Sequence, residues 1–71
     1  MREKIKDFVN KSREAFSQGD MKTALGYWIY IYDEFDKSED FLELREAMSK
    51  FTDEEVYAIT DYYKEITGYY S

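Results

Sequence analysis

The sequence predicts an all-α fold, a small compact bundle of about four short antiparallel helices making one domain over residues 1–71. Three observations predict it. Apolar residues recur every three or four positions through four successive segments, the period of a helix face turned towards a core. Cap-forming residues stand between those segments, at Gly19-Asp20, Ser38, Thr52 and Gly68. No proline interrupts any of them.

The first helix is expected over about residues 2–18, where Ile5, Phe8, Val9, Ser12 and Phe16 form one stripe. Gly19 suits a left-handed C-terminal cap, and Asp20 suits the N-cap of the next helix. In the second segment Met21, Ala24, Leu25, Trp28, Tyr32 and Phe35 share a face, while Tyr27, Ile29, Tyr30 and Ile31 fill the other sides. The run from Tyr27 to Tyr32 also has strand propensity, but the cap, the length and the flanking stripe favour helix. A helix apolar nearly all round is central in a core or shared with another chain.

Ser38 is expected to cap a third helix, with Glu39 and Asp40 in its first turn and Phe41, Leu44, Met48 and Phe51 as its buried stripe. Thr52-Asp53-Glu54-Glu55 reads as a capping box that opens a fourth helix. Val56, Ile59, Tyr63 and Ile66 then make its inner face, and Gly68 ends it before Tyr69-Tyr70-Ser71. Turns this short put successive helices side by side and antiparallel.

Composition excludes whole classes of chemistry. A chain of 71 residues buries only about 60% of its unfolded surface. Its core is therefore thin. With no Cys and no His, disulfides, thiolate or imidazole metal sites, and Ser-His or Cys-His nucleophiles are all absent. Hydrophobic residues at 44% and aromatics at 20% give the chain more to bury than disordered segments have, despite 37% charged residues. Met1-Arg2-Glu3-Lys4 is charged with no apolar run after it, and no stretch reaches the roughly 18 apolar residues of a membrane span. The expectation is a soluble, cytoplasmic protein, and the lack of Cys agrees with a reducing compartment.

Charge is divided unevenly. Residues 1–32 carry six basic and four acidic side chains, a net of +2, whereas residues 33–71 carry four basic and twelve acidic, a net of −8. An acidic surface of that size repels phosphate backbones and anionic membranes, so neither nucleic acid nor membrane is expected as a direct partner.

The stretch Ser17-Gln18-Gly19-Asp20-Met21-Lys22-Thr23-Ala24-Leu25-Gly26-Tyr27-Trp28 resembles the middle of a tetratricopeptide-type helical hairpin. Phe8, Ser12, Ala24 and Trp28 stand where that repeat wants an aromatic, a small, a small and an aromatic residue. The resemblance implies a hairpin that packs like one repeat. The sequence departs from the pattern at Ile31, where the repeat keeps a small residue, and at Asp36, where proline is usual, and no second copy follows. A generic helix-Gly-Asp-helix turn accounts for the same residues, so no family is assigned.

Few constellations carry chemistry. Asp36-Lys37-Ser38-Glu39-Asp40 opens like a calcium loop, but Phe41 sits where that loop needs Gly and Ala47 where it needs a bidentate Glu. Glu39, Glu43 and Glu46 share a face of the third helix, and Asp53, Glu54 and Glu55 cluster at the start of the fourth. Such carboxylates act as acids or bases only when burial raises their pKa, and these are expected in solvent. No catalytic residue, metal ligand or cofactor is expected.

The aromatic excess points instead to a partner. Tyr occupies eight positions, and a core this small cannot take them all. Some of Tyr27, Tyr30, Tyr57, Tyr62, Tyr69 and Tyr70 are expected to be exposed near one another, as the surface of a non-catalytic protein-protein interaction module that binds another protein or forms a homodimer. The alternative is an acidic inhibitor of the phage or mobile-element type, which mimics DNA to block a nucleic-acid enzyme. Its face would comprise Asp36, Glu39, Asp40, Glu43, Asp53, Glu54 and Asp61.

Overall fold

In the computed structural model, which describes residues 1–68, the first apolar stripe folds as α1 (Glu3–Ser17). Ile5, Val9, Ser12 and Ala15 are its buried residues, with Phe8 and Phe16 partly buried beside them. Gly19 adopts φ 77°, the left-handed conformation that reverses the chain without a Cβ clash. The Asp20 carboxylate then accepts the Thr23 backbone N–H at 3.1 Å and caps α2 (Met21–Ser38). The segment from Tyr27 to Tyr32 is helical throughout.

α1 and α2 form the most extensive contact of the bundle. They approach closely where Ser12 meets Ala24, both fully buried, and the Ser12 hydroxyl donates to the Ala24 carbonyl at 2.8 Å. Small side chains at that crossing let the two backbones come together. Around it Ile5, Val9, Leu25, Trp28, Ile31, Phe51 and Ile59 make the core.

Ser38 does not cap the third helix. It is the last residue of α2, and its hydroxyl donates back to the Glu34 carbonyl at 2.9 Å, as Ser does inside helices. Glu39 takes the left-handed conformation at φ 54°, which ends α2. That leaves Asp40 as the N-cap of α3 (Phe41–Met48), where its carboxylate accepts the Glu43 N–H at 3.1 Å.

The α3 stripe is rotated from expectation. Ala47 is the fully buried residue, so α3 sits close to the core through a methyl group, and Phe41 turns outwards to 72% exposure. There it packs edge-on against Phe35, ring centroids 4.9 Å apart. Leu44 and Met48 are partly buried, and Phe51, past the end of the helix, is buried edge-on against Trp28 at 4.7 Å.

α4 (Asp53–Ile66) opens with the expected capping box: Thr52 Oγ1 accepts the Glu55 N–H at 3.1 Å, and Glu55 accepts the Thr52 N–H at 2.7 Å. Ile59 is fully buried and Val56 partly so. Tyr63 and Ile66, expected inside, are 47% and 57% exposed, while Tyr62 packs against the core in their place. α4 rests chiefly on α2. Gly68, at φ 69°, follows the end of the helix.

The charge division between the halves becomes a set of ties running from α1. Arg2 donates to both carboxylate oxygens of Glu43, Lys4 Nζ lies 2.9 Å from Glu34, and Arg13 Nε donates to Glu55 at 3.1 Å. Glu34 and Glu55 are buried, and such carboxylates need these partners. Among the described residues no helix is long and apolar enough to cross a membrane.

Candidate functional site

A helix apolar on nearly all sides cannot bury every side in a four-helix bundle, and α2 leaves one open. Leu25, Trp28, Ile29 and Tyr32 follow one another at helical spacing, and Tyr63 of α4 faces them across an open groove of about 330 Å³. Trp28 forms the buried floor, wedged between Phe51 and Tyr32, whose ring lies 6.2 Å from it. The walls are exposed: Ile29 at 40%, Tyr32 at 41% and Tyr63 at 47%. Ile29, Tyr32 and Tyr63 thus leave contiguous apolar surface beside the core.

Asp33 and Asp36 line the same groove. Asp36 also belongs to a neighbouring hollow of about 320 Å³, formed with Phe35, Glu39 and Phe41. Asp33 and Asp36 thus stand on one side of α2, with Glu39 just past its end beside the second hollow, flanked by apolar surface. Lys37 lies on the same stretch but is 3.7 Å from Glu34. Among the described residues, no base is within ion-pairing distance of Asp33, Asp36 or Glu39.

The carboxylates with displaced titration lie elsewhere, and all are displaced downward. Hydrogen bonds from the Arg2 side chain and backbone hold Glu43 at about 2. Glu34 lies below its ordinary value chiefly because Lys4 hydrogen-bonds it. Burial pushes Glu55 up, but the Thr52 N–H and Arg13 outweigh it and leave the carboxyl low. A general acid needs the opposite displacement. Among the described residues, no group of three or more Asp or Glu is placed to hold a metal ion.

The tyrosines expected to gather are distributed over separate surfaces. Tyr27 and Tyr30 do meet, edge-on at 5.8 Å, and Phe8 packs on both at 6.0 and 5.5 Å. Lys11 Nζ lies 5.8 Å from the Tyr27 ring centre. Tyr57 is 71% exposed and packs against no other described ring. Tyr62 is part of the core's edge, not of an exposed surface, because its position on α4 falls beside Ile59 and Glu55. Tyr69 and Tyr70 lie outside the described residues.

The acidic candidates have divided duties. Glu43 is bound by Arg2, and Asp40 caps α3. Asp53 and Glu54 occupy the first turn of α4, where negative charge favours the helix dipole, and Asp61 is exposed farther along the same helix. Asp36 and Glu39 stand beside the aromatic hollows.

The sequence puts Tyr63 on the inner face of its helix and Tyr32 on the apolar face of α2, and singles out neither Ile29 nor Asp33 as a site residue. The available signal was the all-round apolar character of α2, which already called for a second covering surface. No protein-family model, curated protein or solved structure matches the chain.

Proposed function

We propose that this chain is a non-catalytic protein-interaction module whose docking surface is the groove between α2 and the C-terminal half of α4. One observation carries the reading: Ile29, Tyr32 and Tyr63 stand exposed around Trp28 although the core is complete without them. Tyr and Trp are the residues that contact surfaces favour, since each offers a large rigid area with a polar edge. The downward displacement of Glu34, Glu43 and Glu55 supports the non-catalytic part.

The DNA-mimic alternative requires carboxylates that are free and in a row. Glu43 and Asp40 are already engaged within the fold, which gives that reading less support.

The test is capture of a protein partner from lysate of the native source by the wild-type chain and by an Ile29→Ser/Tyr63→Ala variant. Both changes are at exposed positions, so helicity by circular dichroism is expected to be unaltered. Loss of the partner by the folded variant is the expected result. Retention of the partner, or a wild-type chain that recovers neither a partner nor itself, overturns the proposal.

A further inference from the structure

We infer that the α2–α4 groove takes the apolar face of a basic amphipathic helix from another protein. The inference rests on the interaction-module reading and deepens it by naming the chemistry of the partner.

The groove has the form that amphipathic helices occupy: an apolar floor and walls, with charge along an edge. Trp28 and Leu25 form its floor, Ile29, Tyr32 and Tyr63 its walls, and Asp33 and Asp36 its charged side. Glu39 follows just past the end of α2, in the hollow beside Phe41. Asp33 and Asp36, three apart within α2, lie on one side of the helix, so these two charges face the same way.

The sign of the rim matters because of how the bases are distributed. Arg2, Lys4, Lys11, Arg13 and Lys37 each stand within 4 Å of a carboxylate elsewhere in the chain. The carboxylates beside the groove have no such partner. A ligand carrying Lys or Arg next to its apolar face supplies the missing charge, and the apolar face supplies the burial. A second copy of this chain fits poorly. A two-fold contact through this face would bring two acidic edges, each carrying Asp33 and Asp36, into one interface, in a chain of net charge −6.

Trp28 is the only tryptophan in the chain and lines the groove, so its emission reports occupancy directly. The experiment titrates the full chain with a tryptophan-free amphipathic helical peptide of Leu and Lys, and separately with its Leu and Glu counterpart. The Leu/Lys peptide is expected to change Trp28 emission saturably, and the Leu/Glu peptide is not. Asp33→Lys/Asp36→Lys is expected to weaken binding by about tenfold, because both rim contacts become repulsive. Asp33→Asn/Asp36→Asn, which removes charge without reversing it, serves if the reversal disturbs folding, and a weakening of about threefold is expected. Glu3→Lys/Glu14→Lys makes the same change in net charge on α1, away from the groove, and is expected to alter affinity less than about twofold.

Equal binding of both peptides overturns the inference, as does equal loss from the α1 and groove pairs, since either means that bulk charge or apolar contact alone is responsible. No binding of the Leu/Lys peptide also overturns it. The interaction-module reading fails on a different result, retention of the captured partner by Ile29→Ser/Tyr63→Ala, which alters no charge.

Discussion

Arg13 Nε donates to both carboxylate oxygens of Glu55 at 3.1 Å, tying α1 to the first turn of α4. The same Glu55 oxygen that Arg13 reaches also accepts the Thr52 backbone N–H, so one buried carboxylate serves as helix cap and tertiary tie together. Removing the base is expected to cost about 1–2 kcal/mol in Arg13→Ala, because the carboxylate keeps its cap but loses its counterion. Glu55→Ala removes both roles and is expected to cost more. Urea midpoints of the two variants decide it, and a smaller loss for Glu55→Ala contradicts the dual role.

The Arg2–Glu43 pair gives acid denaturation a definite direction. Glu43 titrates at about 2 in the folded chain, against about 4.3 for an unfolded Glu. Between those values the unfolded chain binds a proton that the folded chain does not, so folding stability falls as pH is lowered. The contribution is fully present above the unfolded value and is lost as pH falls through about 2. Glu34 and Glu55 are displaced in the same direction and add to the slope. Glu43→Gln is expected to flatten the decline of the melting temperature below pH 5 without changing its form near neutrality, and an unchanged acid limb contradicts the assignment.

The Ser12–Ala24 crossing sets how close α1 and α2 come. Ser12→Ala is expected to cost about 1 kcal/mol through the lost buried hydrogen bond. Ser12→Val adds bulk where both residues are fully buried and is expected to cost about 1–3 kcal/mol more through overpacking. Equal midpoints for the two variants, measured by chemical denaturation, contradict a close crossing.

Gly26 lies within α2, where a Cβ would meet nothing within 4 Å. Gly26→Ala is expected to raise stability by about 0.5–1 kcal/mol, since glycine inside a helix loses more backbone freedom on folding than alanine. A lowered melting temperature contradicts the open environment. Gly26 faces the Tyr27–Tyr30 hollow and not the α2–α4 groove, so partner capture is expected to be unaffected.

The elements were legible in the sequence wherever a local signal decided them. Gly19-Asp20 and the Thr52–Glu55 box act through the backbone within one turn, and the structure has both as expected. Ser38 and Asp40 both suit an N-cap and stand two residues apart, and which one caps depends on where α2 stops. The faces of α3 and α4 were harder still. Periodicity puts Phe41, Tyr63 and Ile66 on apolar stripes, but not which part of a stripe has a neighbouring helix to cover it. Ala47 takes the buried place on α3 and Tyr62 packs against the core from α4, so these large residues are left exposed. The acidic balance concealed a similar division: Glu34, Glu43 and Glu55 are bound by α1, whereas Asp33 and Asp36 line a groove. Only tertiary structure separates the two sets.

The proposed docking surface is the α2–α4 groove and not exposed tyrosine in general. Tyr63 and Tyr57 test it as a pair, since both are exposed on α4 but only Tyr63 lines the groove. A photo-reactive phenylalanine analogue placed at either position, irradiated in lysate of the native source and resolved by mass, makes the measurement. A discrete covalent adduct from position 63 and none from position 57 is the expected result. An adduct from position 57 alone, equal adducts from both, or none from position 63 would show that the groove is not the docking surface.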